Sequence, residues 1–141
     1  MQKCYKTRDE RFYVNENHVS MFRIVKENSQ LYEIEMLTDF NHNEPYILWA
    51  GEKDEVEDTL SRLERMLSYE DWIHTKEGLI RIDHVRTVEM LMDVDGVFTI
   101  NLIFSENNKL TVFNGSEAGA KNYLDNMKKH FYSIIYDINY L

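Results

Sequence analysis

The chain has 141 residues, 43% of them hydrophobic and 29% charged, and its 25 acidic against 16 basic side chains leave a net charge of −9. A chain of this length can close one well-buried domain, with roughly 68–70% of the unfolded surface removed from water. The balance excludes a disordered or membrane-embedded chain, and its field repels duplex DNA, RNA and anionic membranes at long range.

The start, Met1 to Lys6, has no apolar core and so does not read as a secretory signal. A single cysteine, Cys4, cannot form an internal disulfide and fits a reducing compartment. Both point to a cytoplasmic protein. Short strands are expected at residues 4–7 and 11–14, joined by the charged turn Arg8-Asp9-Glu10. A longer one runs from Val19 to Lys26. Residues 31–37 then alternate, with Tyr32, Ile34 and Met36 on one face and Glu33 and Glu35 on the other, the pattern of a strand with one wet face. After a loop at residues 41–45, Tyr46 to Ala50 form another strand.

A helix follows. Asp54 and Glu57 have capping-box spacing, and Val56, Leu60, Leu63 and Leu67 form a single apolar stripe. The carboxylates crowding its first turn suit the positive end of the helix dipole. Next comes a hairpin, 71–75 and 79–82, then a strand from Val85 to Met92. Asp95-Gly96 signals a two-residue turn into a strand at 97–104, and a further strand spans 109–113. Ser116 caps a second helix, whose stripe Ala120, Leu124, Met127, Phe131 continues through Ile134, Ile135 and Ile138.

The apolar pattern occurs twice. Asn17-His18-Val19 returns as Asp83-His84-Val85, and Tyr32, Ile34 and Met36 return as Phe98, Ile100 and Leu102. After a shortened loop, Trp49 and Gly51 return as Phe113 and Gly115, and Leu60, Leu63 and Leu67 as Leu124, Met127 and Phe131. The expected fold is α+β: two tandem ββββα units, approximately 1–69 and 70–141. They are related by a pseudo-two-fold axis and packed as one domain, each sheet covered by its own C-terminal helix.

No constellation for chemistry accompanies this pattern. His18 and His84 occupy equivalent positions, but neither has a second ligand at metal spacing, so no metal site is expected. Asp93-Val94-Asp95-Gly96 lacks the remaining ligands of a calcium loop. Phosphate-loop, nucleophile-elbow, zinc-protease and dinucleotide motifs are missing. No catalytic residue and no cofactor is assigned. The residues read as a binding surface are Glu33, Glu35, Trp49, Phe113 and Trp72. Trp49 is expected to be buried, because large aromatics mostly are. Ile134, Ile135 and Ile138 form a candidate interface, either closing the groove between repeats or supporting a homodimer through the C-terminal helix.

A tandem of four strands and a helix is similar to the layout of the Whirly family and of smaller single-strand binders with one unit per subunit. That resemblance covers the whole chain and implies single-stranded nucleic-acid binding. The family's KGKAAL motif is missing, however, and the aromatics here lack a cationic track. The acidic, aromatic-rich profile also resembles immunity proteins and phage-encoded inhibitors of host defence. The leading expectation is therefore a non-enzymatic protein that docks a basic protein partner. The alternatives are single-strand binding and a small-ligand receptor with a pocket between the repeats.

Overall fold

The computed structural model describes residues 3–41, 43–75 and 78–131. Among the described residues it is α+β, with ten strands in three antiparallel sheets and two helices. The chain divides into two compact units, Met1–His84 and Val85–Leu141.

In the first unit a hairpin of β1 (Cys4–Lys6) and β2 (Tyr13–Asn15) forms its own small sheet. A 3-10 turn at Glu16–His18 leads into β3 (Val19–Lys26), β4 (Tyr32–Thr38) and β5 (Tyr46–Gly51). Helix α1 (Lys53–Met66) follows, and then the hairpin β6 (Trp72–Thr75) and β7 (Gly78–Arg81). The sheet order is β5-β4-β3-β7-β6. The hairpin expected to open the second repeat therefore completes the sheet of the first unit. The reason lies in its side chains: Trp72, Ile73, Leu79 and Ile80 are all buried, so pairing β7 with β3 supplies apolar cover on both faces of that edge.

One face of this sheet, with Phe22, Ile34, Met36, Trp72 and Leu79, packs with Val56, Leu63 and Leu67 of the α1 segment. The stripe read at steps of four, three and four is the face that is buried. The capping box is not formed. The helix begins at Lys53, its cap is Glu52 without a side-chain bond, and Asp54 already lies inside the first turn. The opposite sheet face is buried too, at Met21, Leu37, Ile73 and Ile80. The expectation of one wet face therefore fails at this end of the sheet.

The second unit runs from a strand β8 (Thr87–Met92) through β9 (Phe98–Ser105) and β10 (Asn108–Gly115) into α2 (Glu117–Phe131). Its sheet order is β10-β9-β8. Ser116 caps α2 as expected, its Oγ accepting the Gly119 N–H at 3.1 Å. Ile100, Leu102, Phe104, Val112, Ala120 and Met127 form the buried set. On the other face Asn101 is 3% exposed and fully engaged. It donates to Glu89 at 3.0 Å and accepts from the Thr111 hydroxyl at 2.6 Å, a polar rung across all three strands. The β8–β9 turn is one residue longer than a tight hairpin. Gly96 alone takes positive φ (78°), while Asp93 Oδ1 accepts the N–H groups of Asp95 and Val97. That carboxylate is a turn-former, which accounts for the calcium-like spelling.

No helix among the described residues is long and apolar enough to cross a membrane. The candidate interface Ile134, Ile135 and Ile138 lies outside the described residues.

Candidate functional site

The first unit carries an open cleft of about 580 Å³ on the β4–β5 side of its sheet. Its floor is Glu33, Ile47 and Ala50. One wall is the turn between β1 and β2, and the other is the loop that enters β5. The first wall is rigid because it is tied internally. Thr7 N–H donates to the Phe12 carbonyl, the Thr7 hydroxyl donates to Asp9 at 2.6 Å, and Asp9 also accepts the Arg11 N–H. Those two bonds hold the Asp9 carboxyl below its ordinary range, with the Thr7 bond the larger cause. Arg8 N–H reaches across to the Ile47 carbonyl at 2.9 Å, which docks the turn onto the edge strand.

Two aromatic rings line the cleft, Phe12 from the first wall and Tyr46 from the second. Phe12 meets Tyr46 edge-on at 5.2 Å, and Tyr46 meets Phe40 at 6.4 Å. Phe12 and Phe40 remain 43% and 61% exposed, so these rings are only partly spent on internal packing. Arg11 lies over Phe12, and Arg8 lies over Trp49 at 5.5 Å. An arginine already seated on an aromatic face is pre-positioned and partly desolvated.

Glu33 is the group under tension here. It forms no hydrogen bond or ion pair among the described residues. Burial pushes its carboxyl above the ordinary range, and the like charges of Glu27 and Glu35 push it further, while Arg8 opposes the rise. A carboxylate held this way gains when a cation arrives. Glu44 stands on the opposite wall, its carboxylate accepting from the Asn41 side chain at 3.3 Å.

The residues singled out from sequence fall in different places. Glu33 is in the cleft. Glu35 is buried and accepts two bonds from Arg23, at 3.1 and 3.0 Å, so it is already neutralised. Trp49 is 42% exposed, against the expectation of burial. It sits on an edge strand just past a bulge at Leu48, where the side-chain alternation resets and Arg8 serves as its cover. Trp72 is 1% exposed, stacked on Phe22 at 5.4 Å, and belongs to the core. Phe113 is half-buried under α2, 5.6 Å from the Tyr123 ring. Arg8, Phe12, Tyr46 and Glu44 were not singled out from sequence. The charged turn at residues 8–10 held the only signal.

His18, His74 and His84 each make local contacts. His84 Nε2–H donates to the Asn17 carbonyl at 2.9 Å, which leaves Nδ1 to accept the Ser20 hydroxyl at 2.8 Å. Burial holds the ring below the ordinary histidine range. Ser20 is 0% exposed, so the pair clamps the β3 bulge and offers no hydroxyl to a substrate. His18 pairs with Asp39 at 3.1 Å. His74 bonds Glu64 at 3.0 Å and lies 4.1 Å from the Tyr69 ring. His42 falls outside the described residues. Among the described residues no three His, Cys, Asp or Glu side chains gather as metal ligands.

Compared with family models, curated proteins and solved structures, the chain matches none. The residues alone define the class: an acidic α+β protein with an aromatic-walled, carboxylate-floored cleft on its first unit.

Proposed function

We propose that this is a non-enzymatic binding module that docks a basic protein partner, in the manner of an inhibitor or immunity protein. A lysine or arginine of the partner enters the cleft, lies against Phe12 and Tyr46, and pairs with Glu33 and Glu44. The observation that carries the reading is Glu33, partly buried in the cleft floor and without a hydrogen bond or ion pair among the described residues, beside the exposed Phe12 ring. Charge supports it as well. Residues 1–84 hold 18 acidic against 11 basic side chains, so the unit with the cleft carries most of the net charge and steers cations towards it. A single-strand reading is weaker on this surface, because Arg8 and Arg11 share it with Asp9, Glu33 and Glu44 and make no continuous cationic track.

The finer architectural reading, an internal duplication, belongs with this proposal. Two features support it. The order hairpin, 3-10 turn, three strands, helix occurs twice along the chain. Each third strand also bulges at the corresponding residue, Leu48 and Val112, so that Trp49 lies opposite Ile34 and Phe113 opposite Ile100. The two rings share a backbone position but not their surroundings. On this reading one copy kept a covered core and the other acquired the cleft.

Calorimetric titration with a short arginine-containing peptide tests the proposal. Glu33→Gln weakens binding by about tenfold, or ~1.4 kcal/mol, and added salt weakens the wild-type complex. The pH dependence has a fixed sign. A carboxyl raised in the free protein is lowered by a bound cation, so affinity rises with pH through the Glu33 titration and falls on acidification. Folding stability moves the other way. Ionising Glu33 costs the native state as pH rises through its raised value, so Glu33→Gln holds or raises the melting temperature at neutral pH. Equal peptide affinity in Glu33→Gln, or binding indifferent to salt, removes the proposal.

A further inference from the structure

We infer that β8 is a self-association edge, pairing antiparallel with β8 of a second copy of this chain to make a continuous six-stranded sheet across a two-fold axis. The sheet order leaves β8 hydrogen-bonded to β9 on one side only. In the first unit the edge of β3 is occupied by β7, whereas β8 has no such neighbour among the described residues. Edge strands in monomers are usually guarded by a lysine, a proline or a bulge. Residues 87–92, Thr-Val-Glu-Met-Leu-Met, contain no lysine or proline, and the β8–β9 register is unbroken.

The backbone fixes the register. Asp93 N–H donates to the Val97 carbonyl at 3.0 Å, so Asp93, and by twos Leu91 and Glu89, turn their polar groups towards β9. Val88, Met90 and Met92 turn theirs outwards. An antiparallel partner must oppose outward residues to outward residues, and centring on Met90 does so. Met90 then faces Met90 of the second copy, and Val88 faces Met92 at both ends. All three side chains lie on the face of Ile100 and Leu102, yet Met90 and Met92 are 41% and 64% exposed, because α2 packs on β9 and β10. The second copy extends that apolar row.

Charge agrees with the same occupant. β8 starts after Arg86 and ends in the Asp93–Asp95 turn, so an antiparallel copy brings each basic start to the other's acidic end. Glu89 falls opposite Leu91, so no like charges meet. Residues 85–141 hold 7 acidic against 5 basic side chains, which leaves little self-repulsion in this unit.

Full-length protein under reducing conditions, followed by sedimentation velocity from 1 to 100 µM, about the range in which modest edge pairing reads out, is expected to move towards twice the 17.0 kDa chain mass. The site is read by cross-linking in a Cys4→Ser background, since Cys4 is exposed. Met90→Cys places the two thiols on directly opposed residues, about 5.5 Å apart at Cα and within disulfide reach. Leu91→Cys places them beyond the ~7 Å limit. Rapid cross-linking of Met90→Cys and slow cross-linking of Leu91→Cys is the expected result. A monomer at every concentration, equal cross-linking of the two variants, or a dimer whose Met90→Cys form stays reduced overturns the inference. Both substitutions are at exposed side chains, and a native circular dichroism spectrum checks the fold of each.

Discussion

Trp72→Ala lowers folding stability by ~3–5 kcal/mol in urea unfolding, while Trp49→Ala lowers it by no more than ~1 kcal/mol. The two tryptophans differ in environment and not in chemistry. Trp72 is 1% exposed, stacked on Phe22 and roofed by the Arg81 guanidinium at 5.9 Å, so truncation leaves a cavity between the sheet and α1. Trp49 lies on the edge strand β5, 42% exposed with an arginine over its ring, and an exposed cation–π contact of that kind contributes only ~0.5–1 kcal/mol. Domains of this size are stable by about 5–15 kcal/mol, so the Trp72 change removes about a fifth of the total or more. Equal losses for the two variants would contradict the assignment of their surroundings.

Gly78→Ala is the second severe change, expected to cost about 3 kcal/mol or more from strain and overlap together. Gly78 has φ of 149°, a conformation that side chains other than glycine's rarely adopt. A Cβ there would overlap the backbone carbonyl oxygen of Phe22 and press on the Met21 side chain at 2.9 Å. The obstruction is backbone, so it cannot rotate aside. It falls where β7 joins β3, so the substitution drives the β6–β7 hairpin off the sheet and opens the burial of Leu79 and Ile80. Hydrogen exchange reads this directly: amides of β6 and β7 lose protection before those of β4 and β5. Glycine-like stability in the alanine variant would show that the hairpin pairs otherwise.

Strand and helix positions were largely legible because they rest on short-range alternation and on one apolar stripe. β3 runs from Val19 to Lys26 as read, and the α1 stripe is the buried one. What could not be read was which edge a hairpin joins. The sequence of residues 71–82 is equally consistent with opening a new sheet or closing an old one. Face assignment failed for a related reason. Glu35 alternates as a wet residue should, but a cross-strand arginine allows it to be buried. Trp49 alternates with Tyr46 and Leu48 and so should face away from them, but the bulge at Leu48 sets it opposite Ile34, and at the edge of the sheet it stays 42% exposed. The cleft was legible only in part. Glu33 stood out by charge, whereas Arg8, Phe12 and Tyr46 come together from segments some 35 residues apart, and no local pattern records that meeting.

The most direct probe of the account is carbon-detected magnetic resonance on the Glu33 side-chain carboxyl, titrated against pH with and without the arginine peptide. A lone carboxylate waiting for a cation should ionise later than an ordinary glutamate in the free protein and shift back down once the peptide is bound. If Glu33 ionises like an exposed glutamate, or if saturating peptide leaves its titration where it was, the cleft does not take a basic side chain.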